Sequence, residues 1–345
     1  MAQFRIGVSA ALLGKGASAP FPTYDVTWMH DDPDIEVVAL PAESPLPSQA
    51  LAELDAAILL GERISAASLA GSKRLALFCR MGVGYDTLDI PACTAANTAV
   101  TITPPGVRRP MAVAILTLLL SLATNLLHKD RITRNGKPGW RELLDFHGTG
   151  LVGRTFAQIG IGNIGAEAMR LVAPLGFRRI AHDPYVDPKV AAELGVELVS
   201  LEDAFRQADF ISVSCPLNDE TRHLVNAERL ALMKRSAFLI NTSRGPVVDQ
   251  KALYEVLKDR RIAGAGLDVF DPEPPEADEP ILKLDNVVLS PHALGFSDQM
   301  FATMSEVNRA AINAVRAGRN PEHTVNADVL AADGFKAKLA AFQAG

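Results

Sequence analysis

Short apolar runs separated by helical or polar segments recur along the whole chain, the rhythm of βαβ units and a parallel sheet. In the first hundred residues these runs predict strands at 4–9, 36–40, 56–60, 75–79 and 100–103. The stretch 12–34, rich in Gly, Pro and Asp, reads as loop. Pro104-Pro105-Gly106 breaks the pattern, and a strongly apolar helix is expected over 111–127. The polar stretch 129–153, with Gly136-Lys137-Pro138-Gly139 and Trp140 inside it, reads as an excursion. A second series of strands is predicted at 156–160, 179–183, 197–199, 210–214, 237–241, 263–267 and 287–290, with helices between most of them. Ser200-Leu201-Glu202-Asp203 resembles a capping box, and Asp249 opens another helix where the dipole favours an acid. A long helix over 297–317 is expected to cross back to the first half, and the Ala-rich tail 331–345 reads as a marginal helix.

The pattern therefore implies an α/β protein of two doubly wound, parallel-sheet domains. One is discontinuous, formed by 1–105 and 296–345; the other, 106–295, is inserted in it. A length of 345 residues fits two domains. The composition, 48% apolar and 21% charged, is that of a soluble globular protein. The net charge of −6 offers no general electrostatic footprint for nucleic acid. The apolar helix contains Thr117, Ser121, Thr124 and Asn125, so it reads as a helix buried between domains, and no membrane partner is expected. Cys79, Cys93 and Cys215 have neither metal nor CxxC spacing, and no metal is expected. An odd cysteine count beside a start without a secretory pattern, Met1-Ala2-Gln3-Phe4-Arg5, suggests a reducing, cytoplasmic setting.

The most informative segment is Gly160-Ile161-Gly162-Asn163-Ile164-Gly165. It follows a strand and opens a helix, and Asp183 stands eighteen residues beyond Gly165 at the end of the next strand. That is the dinucleotide-binding fingerprint in context. Gly160 permits the tight turn, Gly162 lets a pyrophosphate approach, and Gly165 lets helix and strand pack closely. The pyrophosphate meets free N–H groups and the positive end of a helix dipole. A carboxylate at Asp183 would accept hydrogen bonds from the ribose hydroxyls and repel a 2′-phosphate.

Three further segments sit at strand ends, where open α/β sheets bind ligands. In Asn241-Thr242-Ser243-Arg244-Gly245-Pro246, the fork of Arg244 could grip a carboxylate. In Gly266-Leu267-Asp268-Val269-Phe270-Asp271-Pro272-Glu273-Pro274, Asp268 ends a strand and Glu273 is stiffened between prolines. In Ser290-Pro291-His292-Ala293-Leu294-Gly295, His292 could take and give a proton near neutral pH.

Taken together, these motifs resemble the D-isomer-specific 2-hydroxyacid dehydrogenase family, over roughly residues 50–325. Met81-Gly82-Val83-Gly84-Tyr85-Asp86 also looks like the family's substrate-carboxylate loop, and Cys215-Pro216-Leu217 with Glu220-Thr221 like a cofactor-contacting segment. The resemblance implies a Rossmann NAD-binding domain inserted in a discontinuous flavodoxin-like substrate domain, with pairing of two copies through the cofactor domains. It implies NAD contacts at Gly160, Gly162, Asn163, Ile164, Gly165, Asp183, Cys215, Pro216, Thr221, Thr242, Asp268 and His292. It further implies that Arg244 and N–H groups near Val83 and Gly84 hold the carboxylate of a 2-oxo acid, that His292 exchanges a proton with the substrate oxygen, and that Glu273 orients His292. The sequence departs from the family where an Ala-Glu-His-like triplet is usual: Ala112 is followed by Val113 and Ala114, and Arg80, Arg108 and Arg109 add cations nearby. This leaves the substrate side chain open. An NADH-sensing corepressor on the same fold is the alternative from another class.

Overall fold

The computed structural model describes residues 3–14, 21 and 23–344, so part of the loop expected at 12–34 lies outside the described residues. The chain divides into two compact units, one of Met1–Val107 with Phe296–Gly345 and one of Arg108–Gly295.

The first unit carries strands β1 (Phe4–Ser9), β2 (Ile35–Leu40), β3 (Ala56–Leu59), β4 (Leu77–Arg80) and β5 (Ala99–Thr101). They form one parallel sheet in the order β2-β1-β3-β4-β5, the flavodoxin-like arrangement. Every residue of β3 is buried, as expected for a strand covered on both faces. One face is packed by Leu40, Leu54, Leu59, Phe78 and Val100. At the sheet's lower end the buried Asp55 takes both Arg74 Nε and Nη2 at 2.9 Å and the N–H of Arg5 at 2.8 Å.

Four readings need correction here. The expected loop 12–34 contains a short helix, Thr27–Asp31, whose Trp28 and Met29 are buried. Asp25 starts it by accepting from the N–H and hydroxyl of Thr27, and a helix this short shows no period. β4 begins two residues later than expected and runs to Arg80. Pro104-Pro105 does not precede the apolar helix but begins it, Pro104–Thr124, because the first turn needs no N–H donors. The tail is not marginal: helix Asp333–Ala344 buries Phe335 and Leu339. Its Lys338 Nζ donates to the carbonyls of Leu75, Ala96 and Asn97 at 2.7, 2.7 and 3.0 Å.

The second unit holds β6 (Thr155–Ile159), β7 (Arg178–His182), β8 (Glu197–Leu198), β9 (Phe210–Val213), β10 (Phe238–Asn241), β11 (Gly264–Leu267) and β12 (Val287–Leu289). The sheet is parallel, in the order β12-β11-β10-β9-β6-β7-β8. This is the doubly wound Rossmann order extended by one strand, and β6 sits at the switch point between β9 and β7. Side chains alternate between faces as the strand period requires. Phe156, Phe210, Phe238 and Ile240 pack on one side with helices Pro104–Thr124 and Asn163–Val172. Ala157, Ile211, Val213 and Leu239 pack on the other with helices Leu201–Gln207, Ala227–Leu232 and Gln250–Lys258. Ser200 and Asp249 cap their helices as expected, accepting from Asp203 N at 3.1 Å and Ala252 N at 3.0 Å. Helix Pro104–Thr124 is long and apolar enough to cross a membrane by length and composition, yet Ile115, Leu118, Leu119 and Leu122 are buried in this core. The expected excursion folds into helices Leu126–Arg134 and Gly136–Trp140, entered through left-handed Asn125.

Candidate active site

The glycine loop follows β6 at the switch point. Gly160 has φ +82°, a conformation that L side chains rarely adopt, and a Cβ there would press on the Ser214 carbonyl at 3.0 Å. Gly165 lies so close to the strand end that a Cβ would stand 2.0 Å from Gly160 O. At Gly162, which precedes helix Asn163–Val172, a Cβ would meet nothing within 4 Å. Two glycines are thus consumed by packing, and the third keeps open the space before the helix N-terminus. Asp183 ties this loop to its own: Oδ2 accepts from Ile161 N and Oδ1 from Tyr185 N, both at 2.9 Å. Carboxylate oxygens retain further lone pairs for two vicinal hydroxyls. Open space, helix N-terminus and acid together fit a dinucleotide. Cys215 and Pro216 follow β9, where Thr221 Oγ1 donates to Pro216 O at 2.6 Å, so the Thr221 hydroxyl proton braces its own loop. Thr242 is buried at the end of β10.

Arg244 is aimed by its neighbours. Asn241, buried at the end of β10, accepts from Ser243 N and Oγ and donates Nδ2 to Arg244 O at 2.9 Å. Arg244 Nη1 donates to Ser243 O at 2.8 Å. The next residue, Gly245, packs on the loop after β11: a Cβ there would stand 1.8 Å from Phe270 O. The sequence pattern gives Asn241, Gly245 and Phe270 no role of their own. Only Asn241 carried a local signal, an Asx residue ending an apolar run before Ser-Arg-Gly.

Glu273 and His292 come from the loops after β11 and β12, nineteen residues apart, and meet at Oε1···Nδ1 2.5 Å. The other carboxylate oxygen of Glu273 accepts from Phe270 N at 3.3 Å. Partial burial alone would raise the Glu273 carboxyl. The bond and charge of His292, the Phe270 N–H and the charge of Arg244 outweigh it and hold the group below the ordinary carboxylate range. With Nδ1 engaged by a carboxylate, Nε2 is the nitrogen left to face a substrate. His292 has φ +55°, a strained conformation for a residue with a side chain. Buried Asp268 holds that turn, its Oδ1 accepting from the N–H groups of Ala293 and Leu294 at 3.1 and 3.2 Å. Its Oδ2 is buried with no partner among the described residues. The structure thus shows Asp268 bracing the His292 turn, a job the sequence did not suggest.

Val83 and Gly84 lie in the first unit, just after β4. Thr103 clamps the loop, its Oγ1 accepting from Gly82 N at 2.9 Å. Among the described residues nothing accepts the N–H groups of Val83 and Gly84. Arg80 packs against Gly82 and donates to Met81 O. Arg109 pairs with Glu167 on the glycine-motif helix at 2.7 Å. Among the described residues no cluster of His, Cys, Asp and Glu could hold a metal.

Residues 116–293 match the family of D-isomer specific 2-hydroxyacid dehydrogenases, NAD binding domain. A glyoxylate reductase of Korarchaeum cryptofilum is 39% identical over 274 residues, 79% of this chain and 82% of that one. The holo form of Rhodotorula graminis D-mandelate dehydrogenase superposes with a TM-score of 0.81 at 26% identity, covering 94% of this chain and 98% of that one. An acyclic imino acid reductase in complex with NADPH and D-Arg superposes with a TM-score of 0.78 at 25% identity, covering 93% and 99%. The chain belongs to the D-isomer specific 2-hydroxyacid dehydrogenase family. It is an NAD-dependent oxidoreductase of that family.

Proposed function

We propose that this enzyme interconverts a small 2-oxo acid and a D-2-hydroxy acid, with His292 as acid and base, Glu273 as its positioning partner and Arg244 as the carboxylate anchor. The observation that carries this reading is the 2.5 Å contact between Glu273 Oε1 and His292 Nδ1 at the carboxyl ends of neighbouring strands. In reduction, bound NADH supplies the hydride. His292 gives its Nε2 proton to the ketone oxygen, and in oxidation it takes that proton back from the hydroxyl. Glu273 fixes the tautomer and orients the ring so that Nε2 faces the substrate. Arg244 holds the carboxylate through its planar fork, and the N–H groups of Val83 and Gly84 are further carboxylate contacts. The remaining cofactor contacts are Asn163, Ile164, Cys215, Pro216, Thr221, Thr242 and Asp268. Glyoxylate is the first substrate to try, since it is what the Korarchaeum relative's name specifies.

Following NADH oxidation with glyoxylate, hydroxypyruvate, pyruvate and larger 2-oxo acids tests the reading. Turnover of none of them, by a protein that binds NADH, would overturn it.

Pairing of two copies through the second unit belongs to the same proposal. It is supported by Leu126, Leu127, Trp140, Leu143 and Leu144, which lie exposed within one short stretch of that unit. Sedimentation at micromolar concentration checks it, and a monomer there would remove it. A cytoplasmic setting fits three cysteines that are all free.

A further inference from the structure

The loops after β7 and β9 lie on either side of the glycine loop, because β7 and β9 flank β6 in the sheet. One side chain spans them. Asp183 fixes the turn after β7 by accepting from Tyr185 N at 2.9 Å. The Tyr185 hydroxyl then donates to Glu220 Oε2, thirty-five residues away, at 2.9 Å. Glu220 itself stands in an Asx turn, where Asn218 Oδ1 accepts from Glu220 N at 3.0 Å and Thr221 N at 2.9 Å. The Tyr185 hydroxyl is held above its ordinary range by the bond to Glu220 and by the charges of Glu220 and Asp183, so both carboxylates bear on the same group.

This arrangement bears on which dinucleotide the second unit takes. The same fold holds NADPH in the acyclic imino acid reductase, so the choice is made by local residues. A 2′-phosphate is a near-dianion that needs donors or a cation beside the acid of β7. Beside Asp183, the N–H groups of Ile161 and Tyr185 both go to that carboxylate, Pro184 has none, and the Tyr185 hydroxyl proton goes to Glu220. The nearest downstream cation in sequence is Lys189.

We infer that Glu220, held across the adenosine end of the site by Tyr185, is a second acidic determinant that selects NAD(H) against NADP(H). Asp183 recognises the free ribose hydroxyls. Glu220 adds a negative charge one tyrosine away and engages the Tyr185 hydroxyl, which is then not offered to a phosphate. The inference rests on the assignment of NAD as cofactor. Because both side chains are exposed, their replacement leaves the core untouched, and because the repulsion acts through water, salt screens it.

Titration of NADH and NADPH by fluorescence, on the parent, Glu220→Gln and Tyr185→Phe at low and high salt, tests this. Glu220→Gln is expected to tighten NADPH by about threefold to tenfold at low salt while NADH changes less than about twofold. The gain should shrink at high salt. Tyr185→Phe should give a smaller gain in the same direction, because the untethered carboxylate swings into water. Equal changes for both cofactors, or an NADPH affinity unmoved in Glu220→Gln beside intact NADH binding, would overturn the role of Glu220 alone. A parent protein that fails to bind NADH would overturn the cofactor assignment and this inference with it.

Discussion

Gly245 and Phe270 are in backbone contact so close that a single added carbon on Gly245 would stand 1.8 Å from the Phe270 carbonyl oxygen. The contact joins two loops that each carry a functional side chain. Gly245 follows Arg244, and the N–H of the same Phe270 is accepted by Glu273 at 3.3 Å. One residue, Phe270, therefore sets the proposed carboxylate anchor against the proposed proton pair through its carbonyl and its N–H.

Gly245→Ala forces these loops apart. We expect a loss of about 1–3 kcal/mol in stability, as for other overpacked sites. Catalytic efficiency should fall by more than about tenfold, because small misplacements in a catalytic constellation are expensive. Thermal unfolding and steady-state kinetics check the two effects; a variant that matches the parent in both would show that the loops yield freely.

Arg244→Lys keeps the charge but loses the planar fork. Efficiency should fall at least about tenfold, or roughly 1.4 kcal/mol of transition-state stabilisation. NADH affinity, measured by titration, should stay within about twofold. If NADH binding collapses while substrate kinetics hold, Arg244 serves the cofactor instead.

His292→Ala should lose about 10²- to 10⁴-fold in turnover with NADH binding intact. Glu273→Gln should do less harm but move the pH profiles. Glu273 is held below the ordinary carboxylate range, against partial burial, chiefly by its bond to His292. The amide carries no charge to couple to the ring, so the pH–rate profiles of reduction and of oxidation should both differ from the parent's. Profiles that stay in place would dissolve the pair.

Asp209 offers a test of stability. Placed just before β9, it accepts from Thr155 N at 2.8 Å, Lys234 Nζ at 3.1 Å and Arg154 Nη1 at 3.4 Å. Burial alone would raise its carboxyl, but the Thr155 N–H and the Lys234 and Arg154 cations hold it below the ordinary range. A depressed folded value contributes stability above the unfolded value of about 3.9, lost as pH falls through the folded one. Asp209→Asn should therefore destabilise the protein at neutral pH by about 1–3 kcal/mol. Its stability should also decline less steeply below about pH 4 than the parent's, as denaturant melts across pH would show.

Much of this protein was legible in its sequence, because local chemistry suffices for some features. The strands of the second unit follow from apolar runs of strand length, and the glycine loop from Gly160 and Gly165, which answer local backbone demands, with Gly162 keeping open the space before the helix. Ser200 and Asp249 act on N–H groups three residues away, so their capping is written in consecutive positions. His292 and Glu273 could be named from their motifs because each sits at a strand end.

The tertiary structure alone decided what depends on residues far apart in the chain. That Asp268 braces the His292 turn, that Gly245 must be glycine because of Phe270, and that Tyr185 reaches Glu220 are contacts between separate loops, and no periodicity encodes them. The tail helix looked marginal because its own pattern is weak. It is held by Phe335 and Leu339 in the core and by Lys338 on three distant carbonyls. Most helical stability comes from such packing and not from propensity, so a weak pattern can still fold when a surface is waiting for it.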